Sequence, residues 1–156
     1  MSEAANVELV LGLQPAPDVD LAQLFRDEKL WGELTETVAE LFQPDFECGF
    51  CRLDTEETYA GLDGLRALWL EWLTPWATYR TEIENAIDCG DRVLLLFHDF
   101  GRRKESTEEV RGTVAAIWTV RDGKIDRADF YPTRDDALKA VGLEDGCGSY
   151  VKEKEP

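Results

Sequence analysis

The sequence is poor in the residues that most catalytic and metal chemistry depends on. It has one histidine, His98, and one methionine, so a multi-histidine metal site is excluded. Its three serines, Ser2, Ser106 and Ser149, stand near a terminus, in a hairpin tip and in the last stretch of chain. No Gly-x-Ser-x-Gly elbow occurs, which removes the usual serine hydrolase arrangement. No glycine-rich loop joins a strand to a helix, since Gly146-Cys-Gly148 stands alone, and standard phosphate cradling is excluded with it. Basic residues are scarce: 17 Lys and Arg face 33 Asp and Glu, a net charge of −16. That balance repels phosphate backbones and anionic lipid, so no nucleic acid and no membrane surface is expected as a partner. No apolar run approaches the ~18 residues that cross a bilayer. The segment 1–13 carries Glu3 and Glu8 without a basic residue, unlike a secretory leader, and a cytoplasmic setting with reduced thiols is expected.

Four cysteines, Cys48, Cys51, Cys89 and Cys147, are too few and too scattered for a disulfide framework. Cys48 and Cys51 lie three apart in a predicted strand, where alternation sends their sulfurs to opposite faces unless Gly49 bulges the chain. They read as structural thiols, and neither a metal nor a cofactor is expected.

What remains is enough for a single well-packed domain. The chain has 156 residues, 44% of them apolar and 10% aromatic, and a domain of that size buries ~70% of its unfolded surface. After a short apolar segment, Val7 to Leu13, the run Gln14-Pro-Ala-Pro17 cannot continue a helix. Asp18 or Asp20 can cap a helix carrying Leu21, Leu24 and Phe25. A second helix shows the stripe Leu30, Leu34, Val38 and Leu41, widened by Trp31 and Phe42, and Pro44 stops it. Phe46, Cys48 and Phe50 alternate as a strand, and Thr58 to Ala60 form a short extended piece. Gly61 precedes an apolar helix bearing Leu62, Leu65, Trp69, Trp72 and Leu73, ended by Thr74-Pro75. Four further strands are predicted: Tyr79 to Asp88, Val93 to Phe100, Val110 to Val120, and Lys124 to Tyr131 after the hairpin signal Asp122-Gly123. Thr133 caps a last helix through Val141, closed by Gly142. The expected architecture is α+β, a strongly curved antiparallel sheet wrapped around helices, within one domain over 1–143 and a flexible charged tail over 144–156.

Strand parity selects the candidate site residues. On the strand from Val93, Asp99 shares a face with Leu95 and Phe97 while His98 leaves the opposite one. A carboxylate at the end of an apolar row suits an acid/base role; the alternative is a rim pair with Arg102 or Arg103. Asn85 runs in phase with Tyr79, Thr81, Ile83 and Ile87, either as a ligand contact or in a backbone hydrogen bond. Trp69, Trp72 and Trp118 are either core or the walls of an apolar cavity, with Phe50, Phe97 and Phe130 beside them and Tyr59 offering a hydroxyl. Leu94, Leu96 and Phe100 make the second sheet face apolar too, which leads to the expectation of a homodimer covering it.

The segments Leu41 to Phe46, Thr58 to Gly64, Asp91 to Leu95, Ala116 to Lys124 and Arg134 to Leu143 together resemble the SnoaL-like branch of the nuclear transport factor 2-like superfamily. The resemblance implies a cone-shaped sheet open at one end to an apolar pocket, commonly dimeric, with relatives among ketosteroid isomerases, polyketide cyclases and epoxide hydrolases. Under that resemblance the isomerase base position is Phe50 here and the oxyanion-stabilising acid position is Trp118, neither able to transfer a proton. Asp99 would face into the cone, and Asp126 and Asp129 are the nearest matches to a cyclase carboxylate. The stretch through Pro17 departs from the usual first helix. The expected function is binding of a small apolar molecule, with acid/base proton transfer or hydration at Asp99; the rival is a non-catalytic dimeric interaction module.

Overall fold

The computed structural model describes residues 3–51 and 56–142; Cys147 and the predicted tail over 144–156 lie outside them. Acidic caps set the helical start of the chain. After α1 (Glu3–Gly12), Asp20 accepts from the backbone N–H of Ala22 and opens α2 (Leu21–Arg26). Asp27 ends α2 and caps α3 (Glu28–Val38) by accepting from Lys29 and Leu30, which satisfies N–H groups the first turn leaves orphaned. Then come β1 (Phe42–Cys51), β2 (Glu56–Ala60), α4 (Gly61–Trp72), β3 (Trp76–Cys89), β4 (Arg92–Arg103), β5 (Glu109–Arg121), β6 (Lys124–Tyr131) and α5 (Arg134–Ala140). No helix among the described residues is long and apolar enough to cross a membrane.

The architecture is α+β, with six strands in the order β2-β1-β6-β5-β4-β3. One feature corrects the all-antiparallel expectation: β1 runs parallel to β6, so the sheet is mixed. The two strands lie far apart in sequence, and no local pattern encodes which way they pair. β5 and β6 meet at Asp122 and Gly123, with φ of 54° and 77°, the backbone that a tight two-residue hairpin requires.

Three local readings change with the fold. The segment around Val7 is a full helical turn sequence within α1, anchored by Val10, which is fully buried, and by Asn6 donating to the Gly90 carbonyl. The second predicted helix stops at Val38, because Phe42 already pairs with Ile125 in β6. Pro44 falls in the register shift between Phe42 and Glu47, the part of a strand where a missing N–H costs no ladder bond. Leu34 and Leu41, expected to be inward, are each 37% exposed, and Trp31 is the buried residue of α3.

Each sheet face has its own cover. The main core lies between one face and α1–α4, and includes Phe46, Cys48, Leu95, Phe97, Trp118 and Ala128. On the other face Ile87, Leu94, Leu96, Ala115 and Ile117 pack under Ala137 and Val141. Leu94 and Leu96 are therefore fully buried inside one chain by α5, and Phe100 is covered by the guanidinium groups of Arg80 and Arg111 at 4.1 and 5.2 Å. The apolar second face that suggested a partner subunit is thus closed by the chain itself. Arg134, at the start of α5, locks the cover in place by donating to Glu84 (2.8 Å) and to the Phe97 carbonyl (2.9 Å), while His98 Nε2 contacts the same Glu84 at 2.9 Å.

Candidate functional site

Between the helices and the inner sheet face lies a cavity of about 390 Å³, within the range that holds small organic ligands. α4 supplies its largest wall because Leu65, Leu68, Trp69 and Trp72 recur at three- and four-residue spacing, one face of a helix. The sheet contributes Phe50, Tyr79, Thr81, Phe97, Trp118 and Phe130 from five strands. Phe25, Trp31 and Leu34 close it from α2 and α3. The rim includes Leu13, Gln14 and Pro15 after α1, together with Tyr131 and Pro132 after β6.

The rings brace one another. Phe25 stacks on Trp69 at 5.4 Å, Trp69 meets Phe130 edge-on at 5.4 Å, and Phe130 meets Trp118 edge-on at 6.0 Å. Phe50 sits edge-on to Trp72 at 5.0 Å, and Trp72 to Tyr79 at 6.2 Å. Such edge and offset contacts hold rings in fixed orientations, so the wall is rigid before any ligand arrives. No charged side chain belongs to this lining among the described residues.

Six of the nine residues singled out from sequence meet here: Phe50, Trp69, Trp72, Phe97, Trp118 and Phe130. Tyr59 does not line the cavity; its hydroxyl donates to Glu71 outside the pocket. Asn85 is a correction. A bulge between Ile83 and Asn85 leaves Glu84 unpaired and inverts the parity of β3 beyond it. Asn85 therefore pairs with Leu96 on the outer face, where its Oδ1 accepts from the Ala86 N–H.

Asp99 does sit on the inner face, opposite Gly112 and Thr81, yet it does not line the cavity. The hydroxyl of Tyr79, one diagonal step away on β3, donates to Asp99 Oδ2 at 2.6 Å and stands between the carboxylate and the pocket. Neither suggested arginine is its partner: Arg102 donates to the Ser106 carbonyl, and Arg103 lies 4.9 Å over the Trp76 ring. Asp99 Oδ1 is buried without a hydrogen-bond partner. Burial, then the neighbouring Asp99 carboxylate, push the Tyr79 phenol far above its ordinary value of 10, so it keeps its proton throughout the neutral range. The indole N–H of Trp72 lies close enough to oppose that shift slightly, but it is itself buried without an acceptor in hydrogen-bond geometry, as is that of Trp118.

The cyclase-like candidates are also elsewhere. Asp129 lies opposite Gly49 and Ile117 on the outer face and accepts from Arg127 at 2.8 Å. Asp126 occupies the register shift of β6 and pairs with Arg121 at 2.9 Å. Cys48 and Cys51 do face opposite sides: Cys48 is fully buried in the main core, and Cys51 approaches Asp129 on the outer face. Sequence reasoning passed over Tyr79 as a site residue, although it had placed Tyr79 in the inward phase. The signal available was an inward tyrosine beside an inward aspartate on consecutive strands.

The profile of the SnoaL-like domain family matches residues 26–128. No protein of curated function matches the sequence. Among solved structures, a protein provisionally named a SnoaL-like polyketide cyclase from Jannaschia sp. CCS1 superposes with a TM-score of 0.61 at 17% identity, over 88% of this chain and 92% of that one. TerC, crystallised with polyporic acid, gives 0.59 at 18% identity, over 88% and 98%. An NTF2-like protein of unknown function from Burkholderia pseudomallei K96243 gives 0.59 at 14% identity, over 90% and 98%. At these identities the likeness is one of fold. Taken with the family match across two thirds of the sequence, it places the chain in the SnoaL-like domain family, on the NTF2-like cone fold.

Proposed function

We propose that this domain binds a compact, neutral, ring-bearing small molecule in the aromatic cavity. The observation that carries this reading is the lining itself: about 390 Å³ walled by braced aromatic rings, with no charged side chain among the described residues. Transfer of an apolar ring from water into such a site contributes roughly 25 cal/mol per Å² removed from water, while an ionised ligand would lose its hydration without a compensating charge. TerC, of the same fold, was crystallised with polyporic acid, which is consistent with a ring-bearing occupant here.

The geometry favours binding over proton transfer at Asp99. A general base must come within hydrogen-bond reach of the proton it takes, and Asp99 is reached from the pocket only through the Tyr79 hydroxyl. The second reading, an interaction module, loses its motivating surface to α5. Thermal shift against a panel of neutral aromatic and alicyclic compounds tests the proposal. Binding raises the melting temperature in proportion to ligand concentration over Kd, and Val114→Trp, which fills the cavity from β5, abolishes the response. A panel that leaves the wild type unshifted, or shifts the filled variant equally, overturns it.

A further inference from the structure

The polar atoms around Tyr79 form a pattern that selects among such ligands, an inference that rests on the cavity-binding reading above. Tyr79 spends its one proton on Asp99 Oδ2, so its oxygen offers the pocket an acceptor and no donor. Trp72, edge-on to it with ring centres 6.2 Å apart, carries a buried indole N–H without an acceptor. Both residues line the cavity. One wall therefore presents a donor next to an acceptor, in surroundings that are otherwise apolar. A buried donor left unpaired costs ~1–3 kcal/mol, so a ligand atom that satisfies it gains on binding.

We propose that the Trp72–Tyr79 wall is a hydroxyl-recognition site: a neutral ring compound seats a free hydroxyl between the two, accepting from the indole N–H and donating to the phenol oxygen, with Asp99 as the positioning residue that holds the phenol proton away from the ligand. A hydroxyl is the one simple group that answers both partners. A carbonyl or an ether accepts from Trp72 but gives Tyr79 nothing. A carboxylate gives Tyr79 nothing either, and it meets the field of Asp99 immediately behind the phenol.

The test uses equilibrium dialysis of the full chain with β-naphthol, its methyl ether and the corresponding naphthoate. The naphthol is expected to bind about tenfold more tightly than the ether, the worth of one added hydrogen bond, and the naphthoate most weakly of the three. Tyr79→Phe and Trp72→Phe should each bring naphthol and ether to near-equal affinity while ether binding persists, a change in preference that mere loss of packing would not produce. Because Tyr79→Phe leaves the Asp99 carboxylate unpaired, the double variant with Asp99→Asn serves if the single one does not fold. Equal wild-type binding of naphthol and ether overturns the hydroxyl site and leaves the cavity reading standing, as does strongest binding by the naphthoate. Failure of all three compounds to bind overturns both.

Discussion

Gly112 and Asp99 face each other across β5 and β4, and a Cβ on Gly112 would stand 2.8 Å from Asp99 Oδ1. The absent side chain is what allows the carboxylate to lie flat on the neighbouring strand and present its other oxygen to Tyr79. A second glycine of the same row does similar work. At Gly101, opposite Tyr79 on β4, a Cβ would come within 2.6 Å of the Trp76 ring.

These contacts rank three alanine substitutions. Gly101→Ala should be the most destabilising, about 2–3 kcal/mol, since the indole it displaces is held between the sheet and Arg103. Gly112→Ala should cost about 1–2 kcal/mol, because the side-chain end it displaces can turn only by loosening the Tyr79 hydrogen bond. Gly32→Ala, inside α3 with nothing within 4 Å of the new methyl group, should stabilise by roughly 0.5–1 kcal/mol. Urea midpoints at constant m-value give the order, and a Gly112→Ala protein as stable as the wild type would contradict the packing described here.

Alkaline pH should act on two buried groups in the same direction. Burial pushes the Cys48 thiol up from 9.0 to about 12, and Tyr79 is raised from 10 by burial and by Asp99. A raised folded-state value means that the unfolded chain releases its proton first. The stability these groups contribute is whole below about pH 9 and declines above it, as the thiol and then the phenol ionise in the unfolded state. Tyr79→Phe should therefore flatten the loss of stability above pH 10. In a spectrophotometric titration, one of the four tyrosines should ionise only when the protein unfolds. Simultaneous titration of all four in the native state would show that Tyr79 is not shielded.

The cover over the second sheet face should prove separable from the cone. Arg134→Ala removes the bonds to Glu84 and the Phe97 carbonyl, and should destabilise by ~1–3 kcal/mol. Ala137→Glu places a charge on Leu94 and Leu96, where Ala137 is fully buried, and should release α5 altogether. The uncovered apolar face then favours self-association. Light scattering should show a larger mean mass for Ala137→Glu than for the wild type, and amide exchange in α5 should quicken. An unchanged mass with an undocked helix would mean that the exposed strip is too small to drive association.

The sheet was legible wherever alternation ran unbroken. β4 and β5 pair from Arg92 to Arg102 without a register shift, so counting by twos placed Leu95, Phe97, Asp99 and Trp118 on the inner face. It failed at Asn85 for a definite reason: the bulge at Glu84 adds one residue to β3, and the alternating pattern of side chains carries no mark of it. The aromatic wall was legible in the same way, through helical spacing on α4 and strand parity elsewhere. The partner of Asp99 was not, because a diagonal contact depends on the register between two strands rather than on either one.

Composition, periodicity and turn chemistry by themselves determined the α+β class, the hairpin at Asp122-Gly123, the acidic caps and the inward set of aromatic residues, since each follows from a few neighbouring residues and the geometry of one element. Tertiary structure alone decided that β1 lies parallel to β6, that α5 closes the second face, and that Tyr79 screens Asp99 from the pocket. Those outcomes join residues tens of positions apart, and their energies exist only once the segments have been brought into contact.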